Sequence, residues 1–327
     1  MLKTAFLGVA HIHTPGFIGK LKARESEIVV KAVYDRDAER GARRAAECGA
    51  KFVSDPRAIC EDPEIGSVII CSETARHLPL VEGAAAAGKH VFCEKPLAVS
   101  SVDAIRMREV IEATGVIFQT GFFMRSSPES QFIKQEVAAG HLGPITRMRH
   151  SNCHSGSLGG WFDTEWHWIA EKDEAGGGGF ADLGAHSLDI ILWTLRGPCG
   201  QVRNVAASVG TATRRYGDID EYGAGLITFD SGAIAILEAS WVDAKLHSPV
   251  EVFGSEGQIQ VSGGKVYYYS QHVEGADGGE WTKLPAGRPH AFDLFIDALQ
   301  GKDVPLISIE EAAEESRVMA ELYRAAE

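Results

Sequence analysis

Two stretches of the chain carry residues whose types and spacing could do chemistry. The first is EKPLA, residues 94–98, where a Glu, a Lys and a helix-breaking Pro follow the apolar run HVFC. Charges at the end of a buried strand are costly unless they face a ligand. In an open parallel sheet, ligands bind outside the carboxyl ends of the strands. Lys95 would then project into a cleft, with Pro96 restricting it to an extended backbone. The alternative is a solvated Lys ahead of a loop. The second stretch is GGGGFADLGAHSLDIILWTL, residues 176–195. On a helix, Asp182, His186, Asp189 and Trp193 share one stripe, and Leu188, Ile191, Leu192 and Leu195 share another. The apolar stripe is expected to face the core. The polar one carries a titratable pair one turn apart, suited to proton transfer. Asp182 could instead be an N-cap, and His186 a surface imidazole. The glycine run before the helix suggests that a ligand approaches there closely.

A third stretch concerns binding. GVAHIH, residues 8–13, ends the first apolar run where a nucleotide fingerprint would read GxGxxG. Gly8 keeps the first glycine, Ala10 replaces the second and His13 the third. The second apolar run ends at Asp35 in VYDRD, at the separation expected of a carboxylate that accepts hydrogen bonds from an adenosine ribose. That choice favours NAD over NADP, although the neighbouring Arg36 could hold a phosphate. The alternative for Asp35 is a helix N-cap. His11 and His13 have no acidic residue near them in the sequence, so no metal is expected. His11 is expected to line the loop over the cofactor.

These residues need elements to position them. Apolar runs at 4–9, 28–35, 51–54, 67–72, 90–95 and 116–121 alternate with helical stretches. Little polar alternation within the runs implies a doubly wound parallel sheet covered on both faces. After Gly121 the pattern changes to a helix, a strand at 145–152, the aromatic stretch GGWFDTEWHW, the glycine run and its helix. Strand-like segments then follow in series with short Gly and Ser turns, as in an antiparallel sheet. The C-terminus reads as helical. The fold class is therefore α/β, with residues 1–121 as a nucleotide-binding domain and 122–327 as a second domain.

The chain has 327 residues and a formal net charge of −13, which repels nucleic acid and anionic membranes. No run approaches the ~20 apolar residues of a membrane span. Residues 5–10 read as a first strand, not a signal peptide. The six cysteines form no CxxC pair and read as reduced thiols of a cytosolic protein.

GVAHIH, VYDRD, EKPLAVS, QTGFFMR, HLGPI and GGGGFADLGAHSLD together closely resemble the glucose–fructose oxidoreductase / inositol dehydrogenase family (Gfo/Idh/MocA). The resemblance implies a Rossmann domain followed by an α+β domain with an open, largely antiparallel sheet. It implies NAD, with NADP possible, and a sugar, sugar acid or polyol substrate. Lys95, Asp182 and His186 would be the catalytic positions. Gly8, Ala10, His11, Ile12, Asp35, Arg36, Cys71, Ser72, His77, Glu94 and Lys95 form the expected cofactor set. Arg125, His154 and Trp161 join Asp182 and His186 as expected substrate contacts, along with the segments 150–154 and 161–167. Relatives commonly form dimers or tetramers through the open sheet face, and many have a cis peptide before the matching proline. Two other readings stay open: a glycosidase that oxidises transiently and recycles its bound NAD, and a nucleotide-binding regulator without catalysis. The Lys95, Asp182 and His186 set argues against the regulator, because a sensor needs no proton-transfer groups.

Overall fold

The apolar runs of the first third become six parallel strands: β1 (Leu2–Val9), β2 (Ile28–Tyr34), β3 (Lys51–Val53), β4 (Ser67–Cys71), β5 (His90–Cys93) and β6 (Phe118–Thr120), in the order β3-β2-β1-β4-β5-β6. Between them run α1 (Thr14–Ala23), α2 (Ala38–Cys48), α3 (Arg57–Cys60), α4 (His77–Ala86) and α5 (Ser101–Thr114). Buried Val, Ile and Phe on β1, β4 and β5 leave no wet face on the centre of the sheet. The computed structural model describes residues 1–327 and divides into two compact units.

The first unit comprises Met1–Gly121, Phe162–Gly176 and Pro289–Ser316. The domain change expected near residue 122 is where its long segment ends. The two later segments carry no strand, so strand–helix alternation could not have revealed them. One contains α7 (Lys172–Ala175). The other contains α9 (Ala291–Leu299), whose Phe292 stacks on Phe17 at 4.4 Å and meets Phe92 edge-on at 5.0 Å. Fully burying a Phe side chain contributes about 1.5–3 kcal/mol, so α9 is part of the core that holds β1 and β5 in place.

The second unit comprises Phe122–Trp161, Gly177–Arg288 and Arg317–Glu327. It contains α6 (Pro128–Ala138), β7 (Ile145–Cys153), α8 (Gly179–Cys199), β8 (Val202–Gly210), β9 (Tyr222–Phe229), β10 (Ile234–Ser240), β11 (Val250–Gly254), β12 (Gly257–Ser262), β13 (Lys265–Ser270) and β14 (Asp277–Glu280). The sheet order is β14-β13-β12-β11-β7-β10-β9-β8. Every pairing is antiparallel except β7 with β10, which run parallel. The strand β14 is DGGE, with no apolar residue to mark it. Helix α8 packs on β7 and β10. Alternation is clear on β9, where Gly223, Gly225, Ile227 and Phe229 are buried and Tyr222, Ala224 and Leu226 are exposed. The last helix, α10 (Ile309–Ala326), contains the division between the units. No helix is long and apolar enough to cross a membrane.

Candidate active site

In the first unit the nucleotide loop begins at Gly8, which has a φ of +88° and an imagined Cβ only 2.4 Å from the Ser72 Cβ. Only glycine combines that backbone with so close an approach. Beyond it, His11 N–H donates to the Cys71 carbonyl at 2.8 Å, and Trp168 Nε1 donates to the Ala10 carbonyl at 3.1 Å. Ile12 and His13 follow, half-buried, and α1 opens with Pro15 in its first turn. The loop thus delivers the unsatisfied N–H groups and positive dipole end of α1, which favour a phosphate.

Asp35, at the end of β2, is buried. Its Oδ2 accepts from Val9 N–H at 2.7 Å, and its Oδ1 accepts from Asp37 N–H at 2.8 Å and from Arg40 Nη2 at 2.6 Å. The cap of α2 is Asp37, whose Oδ1 accepts from Glu39 and Arg40 N–H. Asp35 is therefore not the cap, and it ties β2 to the end of β1. Arg40, invisible as a site residue in the sequence, also reaches Glu73 at 3.0 Å. Arg36 is paired with Glu174 at 2.9 Å and Glu73 at 3.3 Å. The positive-φ glycine, the helix terminus and the carboxylate on β2 fit a dinucleotide.

At the end of β5, the Lys95–Pro96 peptide is cis. Lys95 is buried, so it is no solvated loop residue. Its N–H donates to Glu94 Oε2 at 2.9 Å. Glu94 is fully buried, with His13 Nδ1 at 3.3 Å and His11 Nδ1 at 3.8 Å. Burial alone would raise its carboxyl, but the two imidazoles and the Lys95 ammonium outweigh burial and hold it well below the usual carboxylate range. Gly121 makes room for it, since a Cβ there would lie 2.7 Å from either carboxylate oxygen. His77 is buried, with Nδ1 3.0 Å from the Leu97 carbonyl and Nε2 3.3 Å from that of Ser72. Burial pushes its pKa down. Its ring ties the end of β4 to the turn after Lys95. Burial pushes the Cys71 thiol far up, so it stays neutral.

In the second unit the head of α8 is built differently. A Cβ on Gly178 would lie 1.9 Å from the Asp220 carbonyl oxygen, and one on Gly179 would lie 2.3 Å from that of Glu221. The glycine run thus admits the backbone of the β8–β9 loop, not a ligand, which corrects the sequence expectation. Asp220 accepts from Gly178 and Phe180 N–H, both at 2.9 Å, and from Tyr323 OH at 3.0 Å. The cap is therefore Asp220. Asp182 is left to accept from Trp241 Nε1 at 3.0 Å. One turn on, His186 is buried beside the Phe123 ring, 4.8 Å between centroids, and is no surface imidazole.

The remaining expected contacts sort differently. The stripe that begins with Asp182 is not a solvated face: Asp189 is buried and forms a two-pronged pair with Arg125 at 2.9 and 2.6 Å. His150 Nδ1 lies 2.8 Å from Ser187 Oγ and Asn152 Nδ2 donates to the Leu183 carbonyl at 3.1 Å, so both fasten β7 to α8. Burial lowers the His150 pKa to about 4. His154 and Trp161 do come together, their rings 4.8 Å apart, with Trp161 45% exposed. Trp168, Asp220 and Trp241 were missed because only long-range pairing gives them roles, and Arg40 because its partners Asp35 and Glu73 are set by the fold.

A nucleotide loop on a parallel sheet, joined in one chain to a helix that carries a carboxylate and an imidazole one turn apart, defines an NAD-binding oxidoreductase. The chain belongs to the Gfo/Idh/MocA oxidoreductases: the family's NAD-binding Rossmann fold matches residues 2–122, and its C-terminal domain matches residues 130–260. It is 28% identical to 1,5-anhydro-D-fructose reductase of Ensifer adhaerens over 79% of this chain and 75% of that one. It is 30% identical to scyllo-inositol 2-dehydrogenase (NAD(+)) of Bacillus subtilis (strain 168) over 76% of this chain and 70% of that one. Among solved structures, GenD2 from gentamicin A biosynthesis, in complex with NAD, superposes with a TM-score of 0.81 at 25% identity, over 99% of this chain and 94% of that one.

Proposed function

We propose that the protein moves a hydride between NAD and a hydroxyl-bearing carbon of a sugar, sugar acid or polyol, in the manner of an inositol dehydrogenase. The observation that carries this reading is the head of α8. Asp220 takes the capping role there, and Asp182 and His186 stand on the helix as a carboxylate and an imidazole at i, i+4 spacing, both close to its capped end. The inositol dehydrogenase and sugar reductase named above support the substrate class, and neither the recycled-cofactor glycosidase nor the regulator is favoured by them.

Bound NAD supplies the hydride acceptor. Gly8, Ala10, His11 and Ile12 would hold its pyrophosphate, and Asp35 its adenosine ribose. His186 accepts the substrate hydroxyl proton as general base. Lys95 hydrogen-bonds the same oxygen and stabilises charge that develops there. Asp182, oriented by Trp241, positions the hydroxyl. Trp161 and His154 offer a ring pair suited to a sugar's apolar face. A second copy of the chain covers the open sheet face, where Tyr222, Leu226, Ile234, Tyr267 and Tyr269 are exposed. The result is a homodimer or homotetramer.

The test is reduced-nicotinamide absorbance with NAD and a panel of inositols, aldoses, anhydro sugars and sugar acids, with NADP in parallel. A rise with NAD on one or more of these is expected, with a weaker response to NADP. No rise across the panel, with NAD shown to bind, overturns the reading.

A further inference from the structure

We infer that His11, His13 and Glu94 form a binding site for one borderline divalent transition-metal ion such as Zn²⁺. The sequence argued against a metal because no acidic residue lies near the two histidines. The fold supplies one: Glu94 comes from the end of β5 to the loop after β1, 81 residues from His13. One ligand atom from each residue lies within 4.8 Å of the others. His13 Nδ1 lies 3.3 Å from one Glu94 oxygen, Oε1, and His11 Nδ1 lies 3.8 Å from the other, Oε2. A tetrahedral ion with bonds of about 2.0–2.2 Å needs its donors about 3.4 Å apart. The half-exposed His13 ring has room to close the remaining gap, while Glu94 and His11 are fixed by burial.

The donor chemistry selects the ion. Two imidazoles and one carboxylate suit zinc, cobalt, nickel or copper. Calcium and magnesium require more oxygens than this cluster has. Binding replaces the 3.2 Å hydrogen bond that His11 Nδ1 accepts from His13 N–H. The Lys95 ammonium acts on the same carboxylate and limits the affinity. Three protein ligands leave one position open to water. Binding does not depend on the reaction proposed above. Competition does, because His11 and Glu94 belong to the expected cofactor set: NAD and the metal would exclude one another.

Cobalt(II) titrated into the cofactor-free full-length chain tests the site by its visible d–d absorption. All six cysteines are free, and Cys48 and Cys60 are half-buried, so sulfur-to-cobalt charge-transfer bands in the near ultraviolet must be monitored too. The expected result is one saturable equivalent with nitrogen and oxygen donors and no sulfur bands. His13→Asn should weaken it at least about tenfold, since loss of even an outer partner of a metal ligand costs about 10–100-fold. If circular dichroism shows that His13→Asn misfolds, His13→Asp decides: retained cobalt supports the site and lost cobalt overturns it. Absence of saturable binding, sulfur bands, or equal affinity in wild type and folded His13→Asn overturns the proposal.

Discussion

Asp35 and Asp182 are both carboxylates at the head of a helix, held in opposite ways. Asp35 takes backbone N–H groups from Val9 and Asp37 and a guanidinium from Arg40, five residues away. Asp182 takes the indole of Trp241, 59 residues away, while its helix is capped from the β8–β9 loop by Asp220. The first unit builds its site mainly from the ends of adjacent strands, where the backbone does the holding. The second unit builds its site on a helix almost wholly buried, and side chains from remote segments do the holding. Cofactor-end defects should therefore be steric and local, whereas α8 defects should be repairable by conservative side-chain changes.

Lys95→Ala gives the sharpest test of this division and the largest expected effect. Turnover should fall about 10³-fold, within the range that a positioned proton-transfer or oxyanion-stabilising group contributes. NAD affinity, measured by isothermal titration calorimetry, should stay near wild type, since the backbone and Asp35 carry it. Wild-type turnover in this variant would sink the role given to Lys95.

Legibility in the sequence follows the same line. The six strands of the first unit are near-continuous apolar runs, so their ends, and with them Gly8, Asp35 and Lys95, could be placed directly. The strands of the second sheet were also legible apart from β14, but β7 pairing parallel to β10 was not, because strand direction depends on connections and not on composition. The polar stripe of α8 was legible as a shared face, but spacing does not reveal what covers it. Arg125 covers Asp189, and Trp241 meets Asp182. His11, His13 and Glu94 form a cluster that spacing alone argued against.

Acid stability probes both units together. His150 titrates near 4 against an ordinary value of 6.5, lowered by burial, and His77 is lowered in the first unit for the same reason. Below 6.5 the unfolded chain takes up a proton that the folded chain refuses until the pH falls to about 4. The contribution is therefore fully present above 6.5 and is lost as the pH drops through that window. For His150 the loss amounts to about 3 kcal/mol at most. Urea midpoints measured from pH 7.5 to 4.5 should decline, and His150→Gln should flatten the decline without abolishing it. An unchanged slope in the variant would remove His150 from this account.

Asp220→Ala should cost about 2 kcal/mol, since it removes a cap and leaves two N–H groups and the Tyr323 hydroxyl without their acceptor. Asp220→Asn keeps acceptor capacity and should recover part of that loss. If Ala and Asn cost the same in urea denaturation, side-chain capping is not what holds the head of α8.

The smallest effect separates holding a helix from aiming a carboxylate. Trp241 is fully buried, so Trp241→Phe keeps most of its packing and removes only the N–H that Asp182 accepts. A lost hydrogen bond to a charged group is worth about 1.5–3 kcal/mol, so kcat/KM should fall about tenfold or more. NAD affinity should not move, because no residue of the nucleotide loop is touched. Stability should fall less than in Asp220→Ala, because the helix terminus keeps its cap. Were Trp241 only a core residue, the variant would lose stability and keep its kcat/KM. A fall in kcat/KM with NAD affinity unchanged places the indole in the substrate-handling machinery, with Asp182 as the group through which it acts.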